Sequence, residues 1–218
     1  MSPDAALDVD LLLPPGVELS ASKRRLFEAA LLLFGRNGYH AVSIRDIANA
    51  LGQQPSAIYF HVLSKQQLLS DLTHMGHKAH YEALRNALMD AGADSSDQLA
   101  AVVGAHLRQH LDYPSLARVT NRELQALTPD QLQSVMAIRA QSEQIFIDVI
   151  ERGIRQGAFD SSDSFLVAKA IGAMGIRLPE WWSPASHRTR EQIIDRYTQY
   201  ALKLLAPSSA PGGVRIPT

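Results

Sequence analysis

The sequence predicts an all-α protein of about nine helices, and three features of the chain support this fold class. Apolar residues recur at helical spacing along most of the 218 residues, whereas no stretch alternates as a half-buried strand would. Residues that start and stop helices flank these periodic segments. Hydrophobic residues make up 46% of the chain, which is ample for a buried core.

The first amphipathic helix is expected at about residues 20–37, where Leu26, Ala30 and Phe34 share one face. Gly38 follows it, at a position where helices commonly end in a left-handed residue. This helix can therefore bury one face against the helices that follow.

Two short helices are expected next. Ser43 and Asp46 form a capping-box pattern at the start of one, and Gly52 ends it. Pro55 suits the first turn of the other, which we expect to reach His61, because no N–H is needed there. The remaining helices are expected at about residues 64–91, 97–111, 115–126, 128–156, 162–178 and 187–205.

Composition narrows the classes of function. The absence of cysteine excludes disulfides, thiolate metal sites and cysteine nucleophiles, and it suits a reducing cytoplasm. No apolar run approaches the ~18 residues of a membrane span, so we expect a cytoplasmic protein without membrane contact. The net charge of −1 is uneven, since residues 20–70 hold six basic and two acidic side chains. A basic segment on an acidic body favours DNA as a partner.

The short helices on either side of the turn at residues 52–55 predict a helix-turn-helix DNA-binding domain at residues 20–66. The second helix of such a pair enters the major groove, where Gln54 can pair with adenine and Arg45 can reach guanine or phosphate. Phosphate contacts suit four further side chains, helped by helix N-termini: Ser43, Tyr59, His61 and Lys65.

The same region resembles the N-terminal domain of the tetracycline-repressor (TetR) family over about 50 residues. The resemblance rests on Ala29-Ala30, Leu33-Phe34, Gly38-Tyr39, Val42 to Ala48, Leu51-Gly52, Ala57 to His61, Ser64-Lys65 and Leu68. It implies an Ω-shaped homodimer that binds a double-stranded DNA operator and releases it when a small effector binds. It also implies a ligand-binding and dimerisation domain at residues 67–206. Composition separately predicts disordered tails at residues 1–19 and 207–218. The residues implied to touch DNA are Gln54, Pro55, Ser56, Ala57 and Tyr59, with Lys65 on a phosphate.

Two positions depart from the family pattern. Gln53-Gln54 stands where Val-Ser is usual, and we expect this change to alter base readout more than fold. Val62 stands where the family has phenylalanine, a loss of volume that we expect Phe60 partly to offset.

The C-terminal half is more loosely similar to a subgroup of these regulators that senses acyl-CoA thioesters from lipid or sterol breakdown. The similarity rests on the segment 121–129 and on Trp181-Trp182, and it implies a long apolar pocket with a few polar anchors. An arginine at its mouth would suit CoA phosphates, although the same residues could be ordinary core and surface pairs. The candidate anchors are His106, Arg118, Asn121, Arg122 and Arg177, and the candidate walls are Leu107, Met136, Phe146, Met174 and Trp181.

The last two long helices are expected to form the dimer interface. Gly172, Ala173 and Gly175 permit close helix approach, and the family resemblance implies a four-helix bundle across a two-fold axis.

Histidines suggest one alternative function. His74, His77 and His80 recur at three-residue intervals, and His106 and His110 stand four apart, a spacing that can bind zinc. We prefer a polar helix face with one pocket histidine, and we expect no metal and no cofactor. A metal-responsive regulator and a helical interaction module without DNA binding remain as alternatives. We expect no enzyme, since phosphate loops and nucleophile elbows are absent from the sequence.

Overall fold

The computed structural model describes residues 12–206, and within that range all regular structure is helical. The all-α prediction is therefore confirmed, although two of the ten α-helices are single turns of four residues. Most of the predicted tails, residues 1–11 and 207–218, lie outside the described range. The helices are α1 (Ala21–Asn37), α2 (Ile44–Ala50), α3 (Pro55–Ile58), α4 (Lys65–Asp90), α5 (Ser95–Asp112), α6 (Pro114–Arg122), α7 (Pro129–Arg155), α8 (Ser164–Ile176), α9 (Leu178–Trp181) and α10 (Arg190–Leu204), with a 3₁₀ turn at Glu123–Ala126.

Side-chain caps set the helix starts. The hydroxyl of Ser43 accepts a hydrogen bond from the backbone N–H of Asp46, and the Asp46 carboxylate accepts one from the N–H of Ser43. Thr128 and Thr189 head the same reciprocal arrangement at α7 and α10. These bonds satisfy N–H groups that the first helical turn leaves without a partner. Gly52 adopts a φ of 65° in the turn after α2, a backbone conformation that other residues rarely adopt.

Three elements differ from the sequence-based expectation. The helix expected at 115–126 is α-helical only to Arg122 and continues as a 3₁₀ turn over Glu123–Ala126. The third helix ends at Ile58 instead of reaching His61, because the chain tightens there and the His61 N–H donates to the Ile58 carbonyl three residues back. The helix expected at 162–178 ends at Ile176, since Pro179 has no N–H to donate to the carbonyl of Gly175, and a separate single turn follows at Leu178–Trp181.

The segment before α1 is attached to the protein, which corrects the prediction of a disordered tail for its described part. Leu13 is buried, and Leu19 packs against the same apolar cluster. The Arg24 guanidinium donates a hydrogen bond to the carbonyl of Val17 at 3.0 Å. Residues 12–19 therefore lie against α1.

Two apolar cores organise the chain. The first joins α1, α2 and α3 to Leu68, Leu69 and Leu72 of α4 and to Leu116 and Val119 of α6. The second fills the space among α5, α7, α8 and α10. We call the helix-turn-helix domain, α1 to α3, the head. Its core thus continues past the predicted boundary at residue 66. No helix within residues 12–206 is both long and apolar enough to cross a membrane.

Candidate DNA-binding face and effector cavity

The residues predicted to read DNA lie together on the surface of the head. Gln54 precedes α3, is exposed, and makes no capping hydrogen bond with its side chain. Tyr59 is 53% exposed, and Arg45 of α2 is also exposed. A shallow depression brings Ser43, Arg45, Pro55, Tyr59 and Lys65 together. This surface leaves the Gln54 amide free to meet a base edge.

The other predicted DNA residues differ in their exposure. Ser56 is exposed, whereas Gln53, Ala57 and His61 are half-buried. The backbone N–H of Gln53 donates to the Ala48 carbonyl at 2.9 Å and so closes the turn. Gln54 therefore carries most of the unusual Gln-Gln pair's capacity for base contact.

Lys65 holds the loop between α1 and α2. Its ammonium donates to the carbonyl of Tyr39 at 2.9 Å and to that of Val42 at 2.7 Å, and it lies 4.1 Å from the centroid of the Tyr39 ring. Burial lowers the pKa of Lys65, while the Glu123 carboxylate raises it. Because an ammonium has three N–H donors, one remains for a phosphate.

Ser43 is already engaged in the head. Its hydroxyl donates to the Asp46 carboxylate at 2.7 Å besides accepting the capping bond. These hydrogen bonds from Ser43 hold the pKa of Asp46 below its usual value. Asp46 stays ionised, so the cap of α2 is fixed before any partner arrives.

The expectation that Phe60 offsets the small side chain at residue 62 is wrong. Val62 is buried at 4% exposure, whereas Phe60 is 88% exposed and points away from the core. Leu63 beside it is 85% exposed. The core therefore closes around valine without help from Phe60.

A cavity of about 320 Å³ lies among α4, α5, α6, α7 and α8. Four of the ten predicted ligand residues line it: His106, Asn121, Met136 and Phe146. Polar residues that the sequence reading did not assign to it also line it, among them His80, His110, Arg139 and Glu143. The cavity suits a small molecule with an apolar body and one charged end.

The predicted arginine anchors lie outside the cavity. Arg118 donates to the carbonyl of Pro179 at 3.1 Å, and Arg122 pairs with Glu180 at 2.6 Å. Arg177 also approaches Glu180, at 3.5 Å. The hydrogen bond from Arg122 leads the causes that lower the pKa of Glu180. Arg118 and Arg122 thus tie α6 to α9, and Arg177 pairs locally at the start of α9, so none of the three faces the cavity.

Three predicted wall residues are also elsewhere. Leu107 belongs to the second apolar core, among α5, α7, α8 and α10, and Met174 is half-buried outside the cavity. Trp181 is 52% exposed and stacks on Tyr197 with ring centroids 6.4 Å apart. Helical spacing placed these residues on apolar faces but could not say which neighbour each face meets.

Arg139 is a cavity residue that the sequence reading missed. Its guanidinium donates to the side-chain oxygen of Asn121 at 2.8 Å, and burial lowers its pKa. Among residues 12–206, no carboxylate lies within 4 Å of this guanidinium, because Glu143 pairs with Lys169 at 2.7 Å. The charge of Glu143 still raises the pKa of Arg139 from a greater distance, but a half-buried arginine that makes no ion pair favours an anionic ligand. Its place in the middle of α7, between Ile138 and Ala140, gave no signal in the sequence.

Histidines from two helices also line the cavity. Burial holds the pKa of His77 at about 3, that of His106 at about 3 and that of His110 at about 4, so these rings are neutral at pH 7. Burial also lowers the pKa of His80 well below its ordinary value. His80 Nε2 lies 2.9 Å from His106 Nδ1. The sequence predicts an isolated polar face on α4, but in the structure His80 of that face clusters with histidines of α5.

Two helices connect the cavity to the head. α4 carries Lys65 and Gln66 at one end and the cavity residues Gly76, His77 and His80 farther along. α6 packs on α1 with one face and lines the cavity with another. In addition, the Glu123 carboxylate accepts a hydrogen bond from the Tyr39 N–H at 3.2 Å. A change in the cavity therefore has two direct routes to the head.

Comparison with protein families gives two matches. A family described as bacterial regulatory proteins, tetR family, matches residues 26–72. A tetracyclin repressor-like C-terminal domain matches residues 92–205, which is more than half of the chain.

Individual relatives match across most of the chain. The HTH-type transcriptional repressor KstR2 of Mycobacterium tuberculosis H37Rv is 24% identical over 187 residues, covering 85% of this chain and 93% of the relative. A tetR-family regulatory protein from Rhodococcus RHA1 superposes with a TM-score of 0.82 at 29% identity, covering 88% of this chain and all of that one. AibR, solved in complex with isovaleryl coenzyme A and operator DNA, superposes with a TM-score of 0.75 at 21% identity, covering 82% and 96%.

Proposed function

Because this chain belongs to the TetR family of bacterial transcriptional regulators, we propose that it is a repressor released from its operator by a small, anionic and partly apolar effector. The observation that carries this proposal is the cavity, whose walls include Arg139 and which α4 joins to the DNA-binding face. Members of the family are DNA-binding transcription factors and not enzymes. The site of action is the bacterial cytoplasm, where the DNA is.

The DNA partner is a duplex with two half-sites. α3 presents Gln54 at its start, and a recognition helix offers its N-terminal residues to the major groove. A homodimer would carry two such helices, so its operator would be a pseudo-palindrome. The basic character of residues 20–70 adds attraction to the phosphates that does not depend on sequence.

The dimer interface is formed by α8 and α10. α8 is apolar around most of its circumference, with Lys169 as its one charged residue, yet Phe165 and Leu166 remain 50% and 61% exposed in the single chain. On α10, Tyr200 and Leu204 are 47% and 49% exposed. A helix this apolar belongs in a buried position, and a second copy of the chain supplies one.

The effector has a compact apolar group and an anionic or strongly polar end. A volume of about 320 Å³ accepts a short acyl chain, with Phe146 and Met136 against it and Arg139 at the polar end. Two relatives point to the same chemistry: AibR binds isovaleryl coenzyme A, and KstR2 of M. tuberculosis is a ketosteroid regulator. We therefore propose an acyl-CoA thioester of lipid or sterol catabolism.

Effector binding would act through α4 and α6. An acyl group between these helices favours an arrangement in which the two heads of the dimer no longer match successive major grooves. The hydrogen bonds from the head to residues 123–131 transmit the shift, because they join Tyr39 and Gln66 to the segment after α6.

The test uses an operator selected from a random duplex library and fluorescence anisotropy. Isovaleryl-CoA should weaken operator binding, whereas free CoA should not. Arg139→Gln should raise the effector concentration needed by about 10- to 150-fold, because a charge-assisted hydrogen bond contributes about 1.5–3 kcal/mol, with operator affinity unchanged. Arg85→Gln, an exposed arginine on α4, is the matched control. If a panel of short and long acyl-CoA thioesters leaves operator affinity unchanged, the proposed effector class is wrong.

Salt dependence separates a regulator from a pure interaction module. A protein that neutralises phosphates should lose operator affinity steeply as salt rises from 50 to 200 mM, by roughly 10³-fold or more for six contacts. Absence of a DNA shift at any salt concentration would instead support the interaction module.

A further inference from the structure

The cavity contains a cluster of three imidazoles drawn from two helices. His80 comes from α4, and His106 and His110 come from consecutive turns of α5. One ring nitrogen from each lies within 4.8 Å of those of the other two. All three rings line the cavity.

Backbone carbonyls fix the tautomers of two of these rings. His106 Nε2 lies 3.0 Å from the carbonyl of Gly172, and a carbonyl only accepts, so Nε2 carries the proton and Nδ1 has a free lone pair. His110 Nδ1 lies 2.8 Å from the carbonyl of His106, which leaves the lone pair on Nε2. Metal-binding histidines have this arrangement, with the second ring nitrogen donating to a carbonyl.

The third ring can join them by a shift of one proton. His80 Nε2 lies 2.9 Å from His106 Nδ1, and without an ion it donates a hydrogen bond there. When the proton of His80 moves to Nδ1, Nε2 presents a lone pair beside that of His106. The net proton count does not change. Each of the three neutral rings then offers one lone pair, and the ligand nitrogens of the cluster lie within 4.8 Å of one another.

We propose that His80, His106 and His110 bind one late first-row divalent ion of the Zn²⁺ type. Three imidazoles without a carboxylate suit Zn²⁺, Cu²⁺ or Ni²⁺ and do not suit Mg²⁺ or Ca²⁺, which take oxygen ligands. Nitrogens that bind tetrahedral zinc at about 2.0–2.1 Å lie ~3.3 Å apart, so modest ring rotation closes the cluster.

The fourth coordination position of this ion faces the cavity. Three protein ligands and one open position are typical of zinc sites that bind a further ligand. Arg139 lines the same cavity and carries a positive charge. The open position therefore favours an anion such as hydroxide or a carboxylate. This site goes beyond the proposed function and differs from the sequence-based preference for a polar helix face.

The test is a titration of the untagged full-length protein with Co²⁺ after removal of metals by a chelator. We expect visible d–d bands of tetrahedral Co²⁺ that saturate at one ion per chain and disappear when Zn²⁺ is added. Affinity should fall by at least about tenfold in His80→Gln, His106→Gln and His110→Gln. It should be retained in His74→Gln, an exposed histidine on α4.

Two results would overturn the ion site: no tetrahedral Co²⁺ spectrum in the wild-type protein, or a spectrum that survives all three cluster substitutions. Circular dichroism checks that each variant is folded, and the wild-type titration decides even if a variant is not. Because the titration uses no DNA and no organic effector, its failure leaves the proposed regulator untouched.

Discussion

The imidazole of His106 occupies the space that Gly175 leaves by having no side chain. A Cβ at Gly175 would overlap the ring, whereas a Cβ at Gly172, one turn earlier on α8, would meet nothing within 4 Å. Both glycines are expected from the sequence to permit close helix approach at the dimer interface. For Gly175 this is corrected, because its close neighbour is a histidine of the same chain.

This relationship predicts different stabilities for two alanine variants. Alanine is favoured over glycine in a helix by about 1 kcal/mol, which should stabilise Gly172→Ala. In Gly175→Ala that gain is opposed by overpacking against His106, which costs about 1–3 kcal/mol. Urea unfolding should place Gly175→Ala about 1–3 kcal/mol below Gly172→Ala. Equal stabilities would show that the His106 ring moves aside freely.

Gln66 is predicted to transmit the effector signal. Its side-chain amide donates to the Ala126 carbonyl at 2.5 Å and to Gln131 at 3.1 Å, and its oxygen accepts from the Tyr39 hydroxyl. Gln66→Ala should reduce the effector-induced loss of operator affinity, which is typically 5- to 150-fold in coupled sites, to less than half in free-energy terms.

Gln67→Ala is the matched control for this prediction. Gln67 is the next residue on α4, and its side chain bonds only within that helix, to Asp71 at 2.7 Å. Fluorescence anisotropy with and without effector measures both variants. An equal loss of response in the two would place the coupling outside the Gln66 contacts.

Gln54 is predicted to set base preference. Gln54→Ala should relax selection at one or two base pairs and lower affinity for the preferred sequence by about 1–3 kcal/mol. Gln133→Ala, an exposed glutamine on α7, should change neither. Binding to a panel of operator variants measures the preference. A uniform loss on every sequence would reassign Gln54 to the DNA backbone.

Tyr59 is predicted to contribute to DNA affinity alone. It is more than half exposed and lies far along the chain from α8 and α10. Tyr59→Ala should weaken operator binding while light scattering still reports a dimer. Conversion to a monomer would contradict the separation of the DNA face from the dimer helices.

His77 is predicted to make stability depend on pH in the metal-free protein. Burial, then the charge of Arg139, lowers its pKa to about 3 from 6.5. Smaller effects come from the Thr120 carbonyl, which raises it, and from His110 and His74, which lower it. Between these pKa values the unfolded chain binds more protons, so stability is complete above pH 6.5 and falls as the pH drops toward 3.

Between pH 7.5 and 5.5, wild-type protein should therefore lose about 1 kcal/mol more stability than His77→Gln. Urea unfolding with chelator present measures the difference, and His74→Gln, on the exposed face of the same helix, should behave as wild type. Parallel losses in wild type and His77→Gln would mean that His77 is protonated in the folded state.

The helices of the DNA-binding head could be predicted from the sequence because the residues that start and end them are close together in the chain. Ser43 and Asp46 are three residues apart, and Gly52 needs only its own backbone conformation, so spacing predicted both correctly. The third helix was overestimated because spacing does not show where the chain tightens after Ile58.

The lining of the cavity was harder to predict from the sequence because its residues come from different helices. Arg122 and Trp181 have the residue types expected of a pocket, yet Glu180 and Tyr197 hold them on the surface. The sequence spacing relates His80 only to His74 and His77 on α4, whereas the residue that His80 contacts, His106, is on α5. The spacing of residues in the sequence shows which side chains share a face of one helix. It does not show which residues of a second helix lie opposite them.

The hydrogen bonds of Lys65 also affect how readily the head can bind. A free lysine loses rotamer freedom when a phosphate immobilises it, at a cost of about 0.5–1.5 kcal/mol. In this head the Lys65 ammonium is already held by the carbonyls of Tyr39 and Val42. The entropy of that side chain is lost when the protein folds, so an arriving phosphate meets a donor whose direction is set, and little of the association energy is spent on ordering it.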